Sequence, residues 1–218
     1  MVRRTKEDAE ATRSSLLDAA ERVFYDKGVS RASLADIAQA AGATRGAVYW
    51  HFKDKVDLFG VMMDRVTLPL ECSYGAPGQG ASVVPLQRLR EAILAVLRAV
   101  VCDERARRVF EIAMYKVEYV QELVAVRDRH VHACAGFRGK LQEDLVAAAQ
   151  QQGLLLVMSP EVAALGLWAL FDGLLQGWML GAGGFDLLAV GQASMDAYLR
   201  GLGFDLTQAC HNPPLAPR

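Results

Sequence analysis

The sequence predicts an all-α chain of about nine helices. Apolar residues recur at helical spacing in almost every window, no stretch alternates as a strand would, and capping or breaking residues punctuate each segment. The first helix runs from about Lys6 to Lys27, carries Leu16, Ala20, Val23 and Phe24 on one stripe, and is stopped by Gly28. Ser33 is a natural N-cap for a second helix, whose stripe is Leu34, Ile37, Ala38 and Ala41 and whose end is Gly42. Thr44 caps a short third helix, Arg45 to about His51, and Asp54 caps a fourth that runs toward Leu68 and Pro69. The Gly- and Pro-dense stretch from Cys72 to Pro85 reads as a loop. Helices follow over about Leu86 to Cys102, Glu104 to Tyr119 and Gln121 to Gln152, the last with Cys134, Phe137, Leu141, Leu145 and Ala148 on its inner stripe. Ser159-Pro160-Glu161 opens an eighth, with the hydroxyl as cap and proline at the first helical position, and Asp186 caps a ninth that reaches about Gly201.

At 218 residues and 52 % apolar composition, the chain is long enough for a small domain joined to a larger one. Its net charge of -1 conceals a split: residues 1–55 carry 10 Lys/Arg against 8 Asp/Glu, and residues 56–218 carry 14 against 17. So small an excess identifies no partner, and the placement of the charges matters more than their totals. Cys72, Cys102, Cys134 and Cys210 are far apart with no CxxC, and His130 and His132 point to different faces of one helix, so neither a metal nor a cofactor is expected. The charged opening MVRRTKEDAEATR lacks the apolar core of a secretory signal, so the expected setting is a reducing cytoplasm with free thiols. Val162 to Phe185 is apolar enough to raise the question of a membrane span. Asp172 and Gln176 stand in its middle, and a helix buried on nearly all sides inside protein is the expected reading, with no membrane partner.

Helix, Gly42 turn and short helix form the sequence pattern of a helix-turn-helix. The third helix sharpens that pattern. At 100° per residue, Val48 and the following Phe52 face inward, while Gly46 and Trp50 point away and Tyr49 lies on the flank. Exposed aromatic rings beside Arg45, His51, Lys53 and Lys55 suit contact with another molecule, and the major groove of DNA admits a helix of this size. The plainer readings are that Tyr49 and Trp50 pack on the larger domain and that the lysines are solvated. The basic arm of Arg3, Arg4 and Lys6 either reaches DNA or is a solubilising tail.

The run GVSRASLADIAQAAGATRGAVYWHFKDKVDLF, Gly28 to Phe59, resembles the DNA-binding domain of tetracycline-repressor (TetR) family regulators. RRTKEDAEATRSSLLDAAERVF, DERARRVFEIAMYKVEYV and LFDGLLQGW extend the likeness to the AcrR-like multidrug-efflux repressors. The resemblance implies a helix-turn-helix DNA-binding domain over residues 1–55, a helical effector-binding and dimerisation domain over 56–210, and a loose tail over 211–218. It further implies a homodimer on a palindromic double-stranded operator, released by a small-molecule inducer. By position it assigns base-edge or sugar contacts to Arg45, Gly46, Tyr49 and Trp50, with Thr44 as the cap of that helix. Phosphate contacts fall to Tyr49, His51 and Lys55, and to the start of the second helix around Ser33. Arginine can bond guanine O6 and N7 together, and aromatic rings can meet a thymine methyl.

In the larger domain, the apolar run from Leu167 to Leu180 is expected to pair across a two-fold axis, with Gly166, Gly173 and Gly177 permitting close approach and Leu167, Leu170 and Leu174 filling the interface. A candidate ligand cavity is lined by Met63, Thr67, Phe110, Met114, Val117 and Phe171, with Glu111, Glu118 or Asp172 as a carboxylate for cationic compounds. Ordinary core is the plain alternative for each lining residue, and an ion pair for Glu111. No nucleophile elbow, P-loop, HExxH or Cys/His pair is present, so no enzyme is expected. Regulation of a metabolic or stress operon, or a helical dimerisation module without DNA binding, are the other readings kept open.

Overall fold

The computed structural model describes residues 6–75, 84–117 and 123–207, with side chains given for all of these except 70–75. Arg3, Arg4, Glu118, the Cys72 side chain and the tail lie outside that description. Nine α-helices and no strand occur among the described residues: α1 Lys6–Lys27, α2 Leu34–Ala40, α3 Arg45–His51, α4 Lys55–Gly75, α5 Pro85–Cys102, α6 Glu104–Tyr115, α7 Val124–Gln152, α8 Pro160–Leu180 and α9 Leu187–Gly201. Two boundaries differ from expectation. α4 runs through Pro69 to Gly75; Leu68 and Pro69 are exposed, so water is at hand for the carbonyl that loses its helical donor. α6 ends at Tyr115 because the carbonyl of its C-cap, Lys116, accepts a bond from the Val29 amide at 2.9 Å.

The chain divides into two compact units, Met1–Pro69 with Cys102–Ala133, and Leu70–Val101 with Cys134–Arg218. In the first, α1 packs on both α2 and α6, and α2 packs on α3. Leu16, Ala20 and Phe24 are fully buried, and the Phe24 ring lies 5.8 Å from that of Phe59 on α4. These apolar contacts supply most of the cohesion, since burying such side chains is worth about 1.5–3 kcal/mol each.

The α1–α6 contact is polar and in register. Asp18, Glu21, Tyr25 and Val29 succeed one another along α1 and the turn after it; Arg105, Arg108, Glu111 and Lys116 answer along α6. Arg108 donates to Glu21 at 2.9 Å and to Glu104 at 2.7 Å, Arg105 donates to Asp18 at 3.1 Å, and Arg65 of α4 donates to Asp18 at 2.7 Å. The Tyr25 ring lies under Arg108 and Lys116, at 5.8 Å and 5.3 Å, and the negative charge of Glu111 raises the tyrosine's pKa. Glu21 is only 4 % exposed; burial raises its carboxyl's pKa against the opposing pull of Arg108 and Arg105.

In the second unit, Arg90 of α5 grips Asp196 of α9 through two bonds of 2.9 Å, and Arg88 pairs with the buried Asp144 of α7. α8 and α9 pack together closely. The Tyr198 hydroxyl donates to the Ala163 carbonyl at 2.9 Å and occupies the space over Gly166, where a Cβ would stand 2.3 Å from that oxygen. α8 is long and apolar enough to cross a membrane by length and composition alone. Within one chain Val162, Leu165, Ala169, Gly173, Gly177 and Leu180 form an open face along it.

Removing one partner of a buried pair strands the other charge. Arg108→Ala is therefore expected to cost about 2 kcal/mol at pH 7, read by thermal or denaturant unfolding. Because Glu21 has a raised folded pKa, its protonated form is the one the fold favours, so the loss should shrink as the pH is lowered toward 4.5.

Candidate nucleic-acid interface

The interface is built from three short pieces of chain. α2 begins with a capping box: the Ser33 amide and hydroxyl both donate to Asp36 Oδ2, at 2.9 Å and 2.7 Å, and the Asp36 amide donates back to Ser33 Oγ at 3.1 Å. Lys27 donates to the other carboxylate oxygen at 2.8 Å. Lys27 first and Ser33 second hold the Asp36 carboxyl well below the usual carboxylate range. α2 ends on Gly42, at φ 63°, where the Ala43 amide bonds Ala38 O at 2.9 Å and the Gly42 amide bonds Gln39 O at 3.1 Å. That left-handed residue turns the chain into Thr44, whose Oγ1 accepts from the Ala47 amide at 3.2 Å to start α3.

α3 has two faces. Val48 is 0 % exposed and the following Phe52 1 %, with the Arg13 guanidinium 5.5 Å above the Phe52 ring. On the other side Trp50 is 73 % exposed and Tyr49 50 %, with Arg45 and Gly46 exposed beside them. Arg45 donates to the Tyr49 hydroxyl at 3.3 Å and lies 5.6 Å from that ring's centre, while the His51 ring, half-buried, stands edge-on to Trp50 at 4.5 Å. Among the described residues nothing requires glycine at 46, since the nearest atom to an added Cβ would be Thr44 Oγ1 at 3.8 Å. Lys53 is exposed; Lys55 is not, because its ammonium turns inward and donates to Ser30 O at 2.9 Å and Ala32 O at 3.1 Å.

Arg45, Gly46, Tyr49 and Trp50 thus stand together on one exposed surface, as the sequence predicts, with Thr44 capping the helix that carries them. Two expectations change. Ser33 spends both its amide and its hydroxyl proton on Asp36, and a neighbouring carboxylate is a poor place for a phosphate. Lys55 lies at the expected position but points at the backbone of its own domain. Sequence reasoning also missed Arg13 and the Lys27–Asp36 pair; the Ser-x-x-Asp spacing of Ser33 and Asp36 was the available signal for the capping box.

A short, capped helix following a glycine turn, with rings and an arginine outward, defines a helix-turn-helix DNA-binding protein. Residues 16–62 match the bacterial regulatory proteins of the tetR family, and residues 84–204 match the C-terminal region of MAATS-type transcriptional repressors. The HTH-type transcriptional regulator TtgR of Pseudomonas putida is 37 % identical over 188 residues, 86 % of this chain and 90 % of its own length. The HTH-type regulator AcrR of Shigella flexneri is 37 % identical over 190 residues, 86 % and 87 % of the two chains. The crystal structure of NalD, the secondary repressor of the MexAB-OprM multidrug efflux pump in Pseudomonas aeruginosa, superposes with a TM-score of 0.79 at 35 % identity over 90 % of this chain and 98 % of NalD. A SmeT–triclosan complex gives 0.80 at 29 % identity over 95 % and 98 %. The chain belongs to the TetR family of transcriptional regulators, on the branch of the multidrug-efflux repressors.

The expected ligand residues are distributed as follows. Met63 and Thr67 lie one turn apart on α4, Phe110 and Met114 are half-buried one turn apart on α6, and Val117, also half-buried, follows that helix's C-cap. Phe171, on α8 in the second unit, is buried with its ring 6.1 Å from that of Phe137. Glu111 stands by Tyr25 in the α1–α6 contact, close enough for its charge to raise the tyrosine's pKa. On α8, Leu167 is 1 % exposed in the core of its own subunit, and the space over Gly166 is filled by Tyr198. Gly173 and Gly177 are exposed with open space above them, and Leu170 and Leu174 are half-buried at their flanks.

Asp36 has its pKa depressed by folding, so its contribution to stability is present above the ordinary value of 3.8 and is lost as the pH falls below it. Asp36→Asn is expected to lower Tm at pH 7 and to flatten the acid limb of the stability curve below pH 4 or so, measured by thermal melts across pH.

Proposed function

We propose that this chain is a homodimeric, cytoplasmic repressor of a multidrug efflux operon, that it reads a palindromic operator through α3, and that a small hydrophobic or cationic ligand releases it. The single observation behind this reading is the pairing of an inward Val48 with outward Arg45, Tyr49 and Trp50 on one capped helix. A dimerisation module without DNA binding would leave those exposed rings without a partner. The efflux-repressor relatives favour an efflux operon over a metabolic or stress operon, and a regulator over an enzyme.

Within this reading, Arg45 reads a guanine edge, Gly46 lets the backbone approach, Tyr49 and Trp50 meet sugar or thymine methyl groups, and His51 approaches a phosphate. The open face of α8, with Gly173 and Gly177 at its centre and exposed Ala189, Ala193 and Ala197 along α9, meets its copy across a two-fold axis. That interface sets the two α3 helices about one DNA turn apart. Ligand enters against the apolar rows of α4 and α6, and favours a dimer whose α3 spacing no longer matches the operator. Release requires the ligand to bind that form more tightly by a few kcal/mol. The triclosan bound to SmeT supports a ligand of small, apolar character.

Fluorescence anisotropy on a duplex from the gene's own upstream region should give sequence-preferring binding that weakens steeply with salt. Arg45→Ala should cost about 1–3 kcal/mol on that duplex and narrow its margin over random DNA. No preference in the wild type would end the regulator reading. At the dimer face, Gly173→Leu meets open space within its own subunit. It should leave the monomer folded while weakening dimerisation by more than about tenfold, or 1.4 kcal/mol, followed by sedimentation.

A further inference from the structure

Lys55 occupies an unusual position for a lysine in a DNA-reading head. It opens α4 immediately after α3, yet its ammonium is half-buried and is held by two main-chain carbonyls, Ser30 at 2.9 Å and Ala32 at 3.1 Å. Those carbonyls belong to the turn that ends at Ser33, the N-cap of α2. The bond therefore joins the start of α4 to the start of α2 and closes a loop of 23 to 25 residues that contains α2, the Gly42 turn and α3. The opposite side of the same turn is held by the Val29 amide on Lys116 O at 2.9 Å. No carboxylate lies within ion-pair distance of Lys55 among the described residues. Lys53, two residues earlier, shows the alternative, an exposed side chain on the outer surface.

Two short helices of seven residues each have little stability of their own, so their aim depends on what holds their ends. A bidentate ammonium on carbonyls 23 and 25 residues away is such a hold. We propose that Lys55 is a positioning residue for operator reading: it fixes the angle of the α2–α3 pair against α4, and through it the register of Arg45, Tyr49 and Trp50, without itself contacting a phosphate. The proposal rests on the DNA-binding reading above and replaces the phosphate role expected for this residue.

The two roles separate in salt dependence and in specificity. A phosphate contact is lost equally from operator and random DNA, and each phosphate contributes about 0.9 to the slope of log K on log salt, or about 1.8 for a dimer. Misaimed base contacts instead fall on the operator alone. The experiment is an anisotropy salt titration of full-length wild type and Lys55→Met on the upstream duplex and on a random duplex of equal length. It is run well below Tm, with circular dichroism confirming a folded sample. Lys55→Met is expected to weaken operator binding by about tenfold, to change random-duplex binding by less than about twofold, and to leave the slope unchanged. Lys55→Gln gives the same test should the methionine variant not fold. A second readout needs no DNA: amide exchange over residues 28–41 should accelerate in the variant.

A slope reduced by about 1.8 with equal loss on both duplexes would make Lys55 a phosphate contact and overturn the proposal. Equal loss on both duplexes with an unchanged slope would mean general destabilisation, and unchanged binding would mean no role; either also overturns it. If wild type itself shows no operator preference, it is the DNA-binding reading that fails; if wild type prefers its operator and only the variant departs from expectation, the positioning role alone falls.

Discussion

A helix of seven residues does not hold itself together in water, and α3 is one. Its existence depends on burying Val48 and Phe52, the two residues that anchor it from below and behind. Burying two such side chains is worth a few kcal/mol, comparable to the cost of ordering the short helix. Once that seat is filled, the helical period leaves Arg45, Gly46, Tyr49 and Trp50 no inward direction. The exposure of two large aromatic rings is thus a geometric consequence of the apolar anchor, and it is what makes the surface useful to a partner.

The second constraint is the polar contact between α1 and α6. Apolar helix faces tolerate sliding, whereas the rungs from Asp18 to Val29 and from Arg105 to Lys116 match in one register only. The buried Glu21 carboxylate makes slippage costly, because moving it by a turn would strand it from Arg108. Helix α6 also carries Phe110 and Met114, with Val117 just beyond its end, on which ligand binding is proposed. A displacement of that helix would reach α1 and the Val29 turn through directional bonds rather than through loose packing.

Much of this was legible in the sequence. The caps Ser33, Thr44, Asp54, Ser159 and Asp186 all sit where helices begin, since a side-chain acceptor for orphan amides leaves a local signature. The outward set on α3 followed from a single apolar position in a short periodic stretch. What escaped was non-local. Lys55 follows Asp54 in a charged run and reads as a surface lysine, because a bond to backbone carbonyls more than twenty residues away requires no particular partner side chain. α8 is apolar around most of its circumference, so periodicity could not tell its inner face from its outer one, and it gave no sign that Leu167 and Gly166 pack within their own subunit. Glu111 had three cations nearby in sequence, and nothing local signalled the tyrosine of another helix that its charge acts on.

Hydroxyl-radical footprinting of the gene's upstream DNA is the most direct measurement of the central idea, that paired α3 helices enter successive grooves on one side of a duplex. Two protected patches related by a dyad, their centres about one helical repeat or a multiple of it apart, are the predicted result. A single unpaired patch, or even protection along the whole fragment, would contradict it.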